Sequence, residues 1–272
     1  MINERKLEKT KLLGYLIYIK YNGNDYESFD ENPGLKSLKL EYKNRFLKHN
    51  INIFKGIQQA GRTDKGVSAN ENVLYIMTSK QNIDVMLQYD DVIKIEKCLP
   101  FIELPEYIKG REYIFTYDED KITRNENEIQ KLCENLSGNM DYSKFTTKKG
   151  KLLKNTIRNL RITYKNKSLY FNGDSFLPHQ VRIMSSYILT GKLKELNGKY
   201  LTLNKIFFKK VTKDIVLTEL EIDKQIGEYA LETKNYIFVY TKDLSRSIGK
   251  NGKNLRKIQP KKRIIYKNID EY

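Results

Sequence analysis

The chain has 272 residues, enough for one large domain or two smaller ones, and its 39% hydrophobic content is compatible with ordinary globular folding. Lysine and arginine number 50 against 34 acids, and the resulting formal charge of +16 points to a polyanionic partner. No apolar run reaches membrane-spanning length and the charged start "MINERKLEK" lacks a signal-peptide core, so a cytoplasmic protein without a membrane partner is expected. Cys98 and Cys133, like His49 and His179, stand far apart without paired ligand spacing. That pattern argues against a zinc site and predicts two buried, reduced thiols. No metal and no cofactor is expected.

In chain order, "GYLIYIKY" (14–21) is rich in aromatic and β-branched residues and ends in the turn chemistry "NGND", which predicts a strand. An amphipathic helix follows over 35–50, with Leu35, Leu38, Tyr42, Phe46 and Leu47 at near-helical intervals between lysines. Next comes "QQAGRTDKGVSA" (58–69), a glycine-flanked turn carrying Asp64 between Arg62 and Lys65, and then a strand, "NVLYIMT" (72–78). Such a turn is ordinarily a solvated loop, but beside a sheet it also suits a catalytic group held on a rigid scaffold.

Further strands are predicted at 111–117 ("REYIFTY"), 159–165 and 168–174, the last two joined by a short "NK" turn and so antiparallel. A helix between them places Ile129, Leu132, Cys133 and Leu136 on one face, with Gly138 as its stop. In "SFLPHQVRIMSSYILTGKL", Leu177, Val181, Met184 and Ile188 define the buried face of another helix, with Pro178 in its first turn. "DIVLTELEI" (214–222) reads as a strand. Strands and helices alternate without exact repeats.

Five of these motifs, in order, resemble the TruA family of tRNA pseudouridine synthases: "YLIYIKYNGNDYESF", "GRTDKGVSA", "REYIFTY", "SFLPHQVRIM" and "DIVLTELEI", covering about 14–223. The chain departs from the family pattern at Ser28, where glycine is usual, and in a shortened 81–110 segment. The resemblance implies an α+β, two-lobed fold with a mostly antiparallel mixed sheet flanked by helices. It implies an isomerase that forms pseudouridine in the anticodon arm of tRNA, acting as a homodimer. The catalytic domain would span 1–224.

The same resemblance makes Asp64 the nucleophile, attacking the ribose anomeric carbon or base C6, with a glycal route also open. Arg182 would keep it ionised through two parallel guanidinium donors. Tyr113 would stack on the target uracil, although a strand tyrosine between apolar neighbours is by itself more often core. Arg62 would fill the space left by the flipped nucleotide. Gly61, Thr63, Lys65 and Gly66 would complete the substrate-binding loop, the glycines by allowing a tight turn and close backbone approach. His179 reads as structural. The alternative is a non-catalytic RNA-binding or RNA-chaperone protein on the same fold.

Beyond the family pattern, "IGKNGKNLRKI" resembles the G-x-x-G signature of K-homology RNA-binding modules. Strands at 236–240 and 262–267 and short helices at 244–249 and 253–258 would make a small βααβ segment over 225–272. Gly249, Lys250, Asn251, Gly252 and Lys253 would then meet the RNA backbone.

Overall fold

The computed structural model describes residues 4–147, 155–254, 256, 258 and 261–269. A short helix, α1 (Glu4–Lys9), precedes β1 (Leu13–Tyr21), which is buried over most of its length, as the apolar run requires of a strand covered on both faces. Helix α2 (Leu38–Lys48) starts where the Ser37 hydroxyl accepts from the Leu40 amide, and it buries Leu38, Tyr42 and Phe46. Leu35 and Leu47, expected on that face, are exposed: the first precedes the helix and the second lies about 100° round from Phe46. A two-residue strand, β2 (Gln58–Gln59), pairs with β3 (Ser68–Thr78), so both ends of the Asp64 loop are pinned to one sheet. β4 (Val92–Cys98), with exposed Ile93 and Lys94, forms the edge beside β1.

A one-turn helix, α3 (Leu104–Tyr107), leads into β5 (Ile108–Thr116). Helix α4 (Glu126–Asn135) begins with a reciprocal capping box between Asn125 and Glu128 and buries Ile129 and Cys133. Gly138 does not stop α4, which has already ended; it opens β6 (Gly138–Asp141). β7 (Ile157–Lys165) and β8 (Ser168–Gly173) form the expected hairpin, with Asn166 and Lys167 both left-handed as a two-residue primed turn needs. Helix α5 (Gln180–Thr190) is buried nearly all round. Pro178 lies before it rather than in its first turn, because His179 is left-handed (φ 63°).

β9 (Leu201–Phe208) sits at the centre of the nine-stranded sheet, in which eight strands run in the order β4-β1-β3-β9-β5-β8-β7-β6 and β2 pairs with β3 off this path. All its pairings are antiparallel except β3 with β9, where Ser68 faces Thr202 and Ala69 faces Leu203. This short parallel seam joins two antiparallel halves. The cleft opens beside it.

The strand expected over 214–222 is divided between two sheets. Residues 215–217 hydrogen-bond to the end of β4 (Leu99 amide to Ile215 carbonyl, Leu217 amide to Lys97 carbonyl, both 2.9 Å). Only β10 (Thr218–Leu220) is a named strand, and it belongs to a second sheet with β11 (Tyr229–Glu232), β12 (Tyr236–Thr241) and β13 (Arg263–Asn268). β10 lies before residue 225, so this sheet spans that position. β12 and β13 are parallel, and α6 (Leu244–Ile248) and the "GKNG" loop lie between them in sequence. The second helix expected there, 253–258, falls partly outside the described residues. Phe238 and Tyr240 face the main core, whereas Ile237 and Val239 pack with Ile226 and Ile258 in a smaller one.

The second sheet is also tied to α1. Lys267 is buried, and its ammonium donates to the carbonyls of Leu7, Glu8 (2.8 Å) and Thr10 (2.8 Å) at the helix C-terminus. Burial lowers its pKa to about 8, which leaves it protonated at neutral pH. Replacing Lys267 with Met is expected to lower stability by about 1–3 kcal/mol in denaturant unfolding, since it leaves carbonyls in an apolar setting without a donor.

Candidate active site

The Asp64 loop is held from three sides. Asn72, on β3, accepts from the Gly61 amide (3.0 Å) and donates to the Gly61 carbonyl (2.6 Å). Arg111, on β5, donates Nε (2.8 Å) and Nη2 (2.5 Å) to the Ala60 carbonyl, joining the two halves of the sheet. The buried Thr63 shares a hydrogen bond with Tyr21 on β1 (2.8 Å). Gly66 turns the loop with φ 80°, where a Cβ would be strained, and Gly198 lets the Lys65 carbonyl approach so closely that a Cβ there would meet it at 2.2 Å. The loop is therefore a fixed platform.

On that platform Asp64 is 42% exposed and its Oδ2 accepts from Nη2 of Arg182 at 2.7 Å. Arg182, in the first turn of α5, is only 8% exposed. The pair expected from the sequence is present, but not as two parallel donors to one carboxylate. Nη1 of Arg182 instead meets Glu195 Oε1 (2.6 Å) and the Leu196 carbonyl (3.1 Å). Asp64 Oδ1 takes no hydrogen bond from a described residue. His179, read as structural, has a partner: its Nδ1–H donates to Glu195 Oε2 at 2.6 Å, and the same nitrogen lies 3.3 Å from Arg182 Nη2.

Tyr113 comes from β5, where a register shift against β9 falls between Glu112 and Tyr113 and re-aims the side chain. Its ring meets Phe176 edge-on at 5.1 Å, and it lines the same cleft of about 440 Å³ as Asp64 and Arg182. Burial pushes its phenol up to about 12, against the opposing influence of Arg111, so the ring is neutral at neutral pH. Arg62 is exposed and its Nε reaches Asp30 Oδ2 (3.1 Å) in the loop that also carries Ser28. Lys65 is 73% exposed, 4.0 Å from Glu27.

The structure thus brings Asp64, Arg182, Tyr113, Arg62 and Thr63 around one cleft. Gly61 and Gly66 shape its loop, and Lys65 stands at its solvent side. Sequence reading missed Arg111, Glu195 and the pairing of His179. Arg111 was visible as the first residue of "REYIFTY", but Glu195 had no signal beyond being the one acid in "GKLKELNGKY". The tail residues lie elsewhere in the chain: Gly249, Asn251 and Gly252 have positive φ, and Lys250, Asn251 and Lys253 are exposed. Among the described residues no group of three His, Cys, Asp or Glu side chains is placed to hold a metal ion, and no helix is long and apolar enough to cross a membrane. Both cysteines are buried and free.

A large, mostly antiparallel mixed sheet with a carboxylate–guanidinium pair beside its central seam fits a pseudouridine synthase. No family model matches the chain. Among curated proteins, tRNA pseudouridine synthase A of Malacoplasma penetrans is 30% identical over 204 residues, covering 65% of this chain and 83% of the relative. The proteins of the same name from Picrophilus torridus (27% over 194 residues, 68% of this chain and 74% of the relative) and Oceanobacillus iheyensis (26% over 204 residues, 63% and 79%) are similar too. The chain belongs to the tRNA pseudouridine synthase A family.

Proposed function

We propose that the chain isomerises uridine to pseudouridine in the anticodon arm of tRNA, in the cytoplasm and as a homodimer, with Asp64 as nucleophile. The observation that carries this reading is the Asp64–Arg182 contact: residues 118 apart in sequence meet at 2.7 Å in the cleft of a chain whose relatives bear that enzyme's name. The reaction breaks C1′–N1, turns the uracil and forms C1′–C5; the C5 proton leaves to solvent and N1 gains one, so no electrons enter or leave. A carboxylate suffices as catalyst, at C1′, at C6 or through a glycal. Arg182 gives that carboxylate a cationic partner, Tyr113 stacks on the base, and Arg62 occupies the place of the flipped nucleotide.

The purified protein is expected to release tritium from C5-labelled uridine in tRNA, with the new pseudouridine mapping to the anticodon arm. RNA binding without release from any tRNA would instead identify an RNA-binding protein on this fold.

The positive-φ "GKNG" turn supports a second contact, in which the tail binds RNA backbone as in K-homology modules. Gly252→Asp is expected to weaken RNA affinity about tenfold and to exceed the effect of Lys253→Glu, because it adds bulk as well as charge where backbone must approach. Catalysis at saturating RNA is expected to persist. A Gly252→Asp variant that binds no worse than Lys253→Glu, with Gly252→Ala like wild type, would remove the tail from that role.

A further inference from the structure

The proposed chemistry places opposed demands on Asp64. It must stay ionised, which a guanidinium favours, and it must keep an oxygen free to attack, which a two-pronged clamp would prevent. The geometry meets both demands through a residue outside the five motifs quoted above. Glu195 takes Nη1 of Arg182 at 2.6 Å, with the Leu196 carbonyl on the same nitrogen, Nε has no partner among the described residues, and Asp64 is met by Nη2 alone, so one Asp64 oxygen stays without a donor among the described residues. Glu195 is fixed in turn. Its other oxygen meets His179 Nδ1 at 2.6 Å, and the left-handed Gly191 (φ 75°) ends α5 so that the chain doubles back beside Arg182. His179, left-handed just before α5, stands three residues ahead of Arg182 in the chain.

We propose that Glu195, seated by His179, is the positioning residue of this site: it divides the Arg182 fork so that Asp64 is held by one N–H and attacks with its free oxygen. This inference rests on Asp64 being the nucleophile. Without the Glu195 charge, Nη1 has no anion of its own and the guanidinium turns to grip both Asp64 oxygens, which leaves the carboxylate charged but blunted. The defect is then in conversion, not in RNA capture.

The test is single-turnover tritium release at saturating tRNA, alongside RNA affinity. Because removing any acid from a +16 protein favours RNA binding generally, Glu119→Gln, which breaks only the exposed Lys167 pair, is the charge-matched control. Glu195→Gln is expected to convert about 10- to 100-fold more slowly than that control at unchanged affinity. Glu195→Asp, which keeps the charge but has a shorter reach, should fall between. His179→Asn, whose side chain tolerates the left-handed backbone, should slow conversion in the same direction, and the double variant should be no slower than Glu195→Gln alone.

Conversion by Glu195→Gln at the control rate overturns the inference. So does a wild-type rate for His179→Asn, which keeps the test decisive should Glu195→Gln fold poorly, and so do multiplicative effects in the double variant. Asp64→Asn separates the two levels: if it is active, the nucleophile assignment falls and this inference with it. An inactive Asp64→Asn beside a control-like Glu195→Gln overturns this inference alone.

Discussion

Asp64→Asn is expected to abolish pseudouridine formation, by at least about 1,000-fold in tritium release, while tRNA affinity stays within about threefold of wild type. The amide has nearly the same shape and can still accept from Arg182 Nη2 where Oδ2 now does at 2.7 Å. The loop around it is held by other groups, Asn72 on Gly61, Arg111 on Ala60 and Tyr21 on Thr63, so the platform stays in place. What the variant lacks is an oxygen carrying negative charge. Turnover near the wild-type rate would remove Asp64 from the nucleophile's place.

Arg182→Ala is expected to cost about 100-fold or more in activity, whereas Lys65→Ala stays within about threefold. The two cations lie in very different settings. Arg182 is 8% exposed and bridges Asp64 and Glu195, so its loss takes from both acids the cation they share. Lys65 is 73% exposed and 4.0 Å from its nearest acid, a contact that water already screens. Arg182→Lys, which keeps the charge but not the fork, is expected to lie between them. Equal losses for the alanine variants in the same assay would show that Arg182 acts only as a diffuse positive charge.

Much of the scaffold was legible because its signals are local. The apolar run of β1, the hairpin of β7 and β8 with its "NK" turn, and the buried spacing of α5 each lie within one short window. β4 and β9 went unread for a physical reason. β4 is an edge strand whose Lys94, Glu96 and Lys97 dilute the apolar signal, and β9 breaks its alternation at the register shift opposite Glu112 and Tyr113. The split of 214–222 between two sheets was not legible either, because it depends on which edge the backbone meets.

The site shows the same division. Asp64 and Arg182 stand 118 residues apart, and no spacing rule joins them; family resemblance did. The division of the Arg182 fork was out of reach, since Glu195 carries no motif and is placed by where the chain turns after Gly191.

The grip of Lys267 on α1 has a consequence for how the protein is made. The lysine that donates to the carbonyls of Leu7, Glu8 and Thr10 is translated 260 positions after Leu7, so at a ribosomal rate of about 5–20 residues per second α1 waits roughly 13–50 seconds for its partner. Arg263, which pairs with Glu4 and Glu8, arrives scarcely earlier. This helix is therefore covered long after it is made, and Leu7, wholly buried in the finished fold, stays open to chaperones and proteases until Lys267 has been translated.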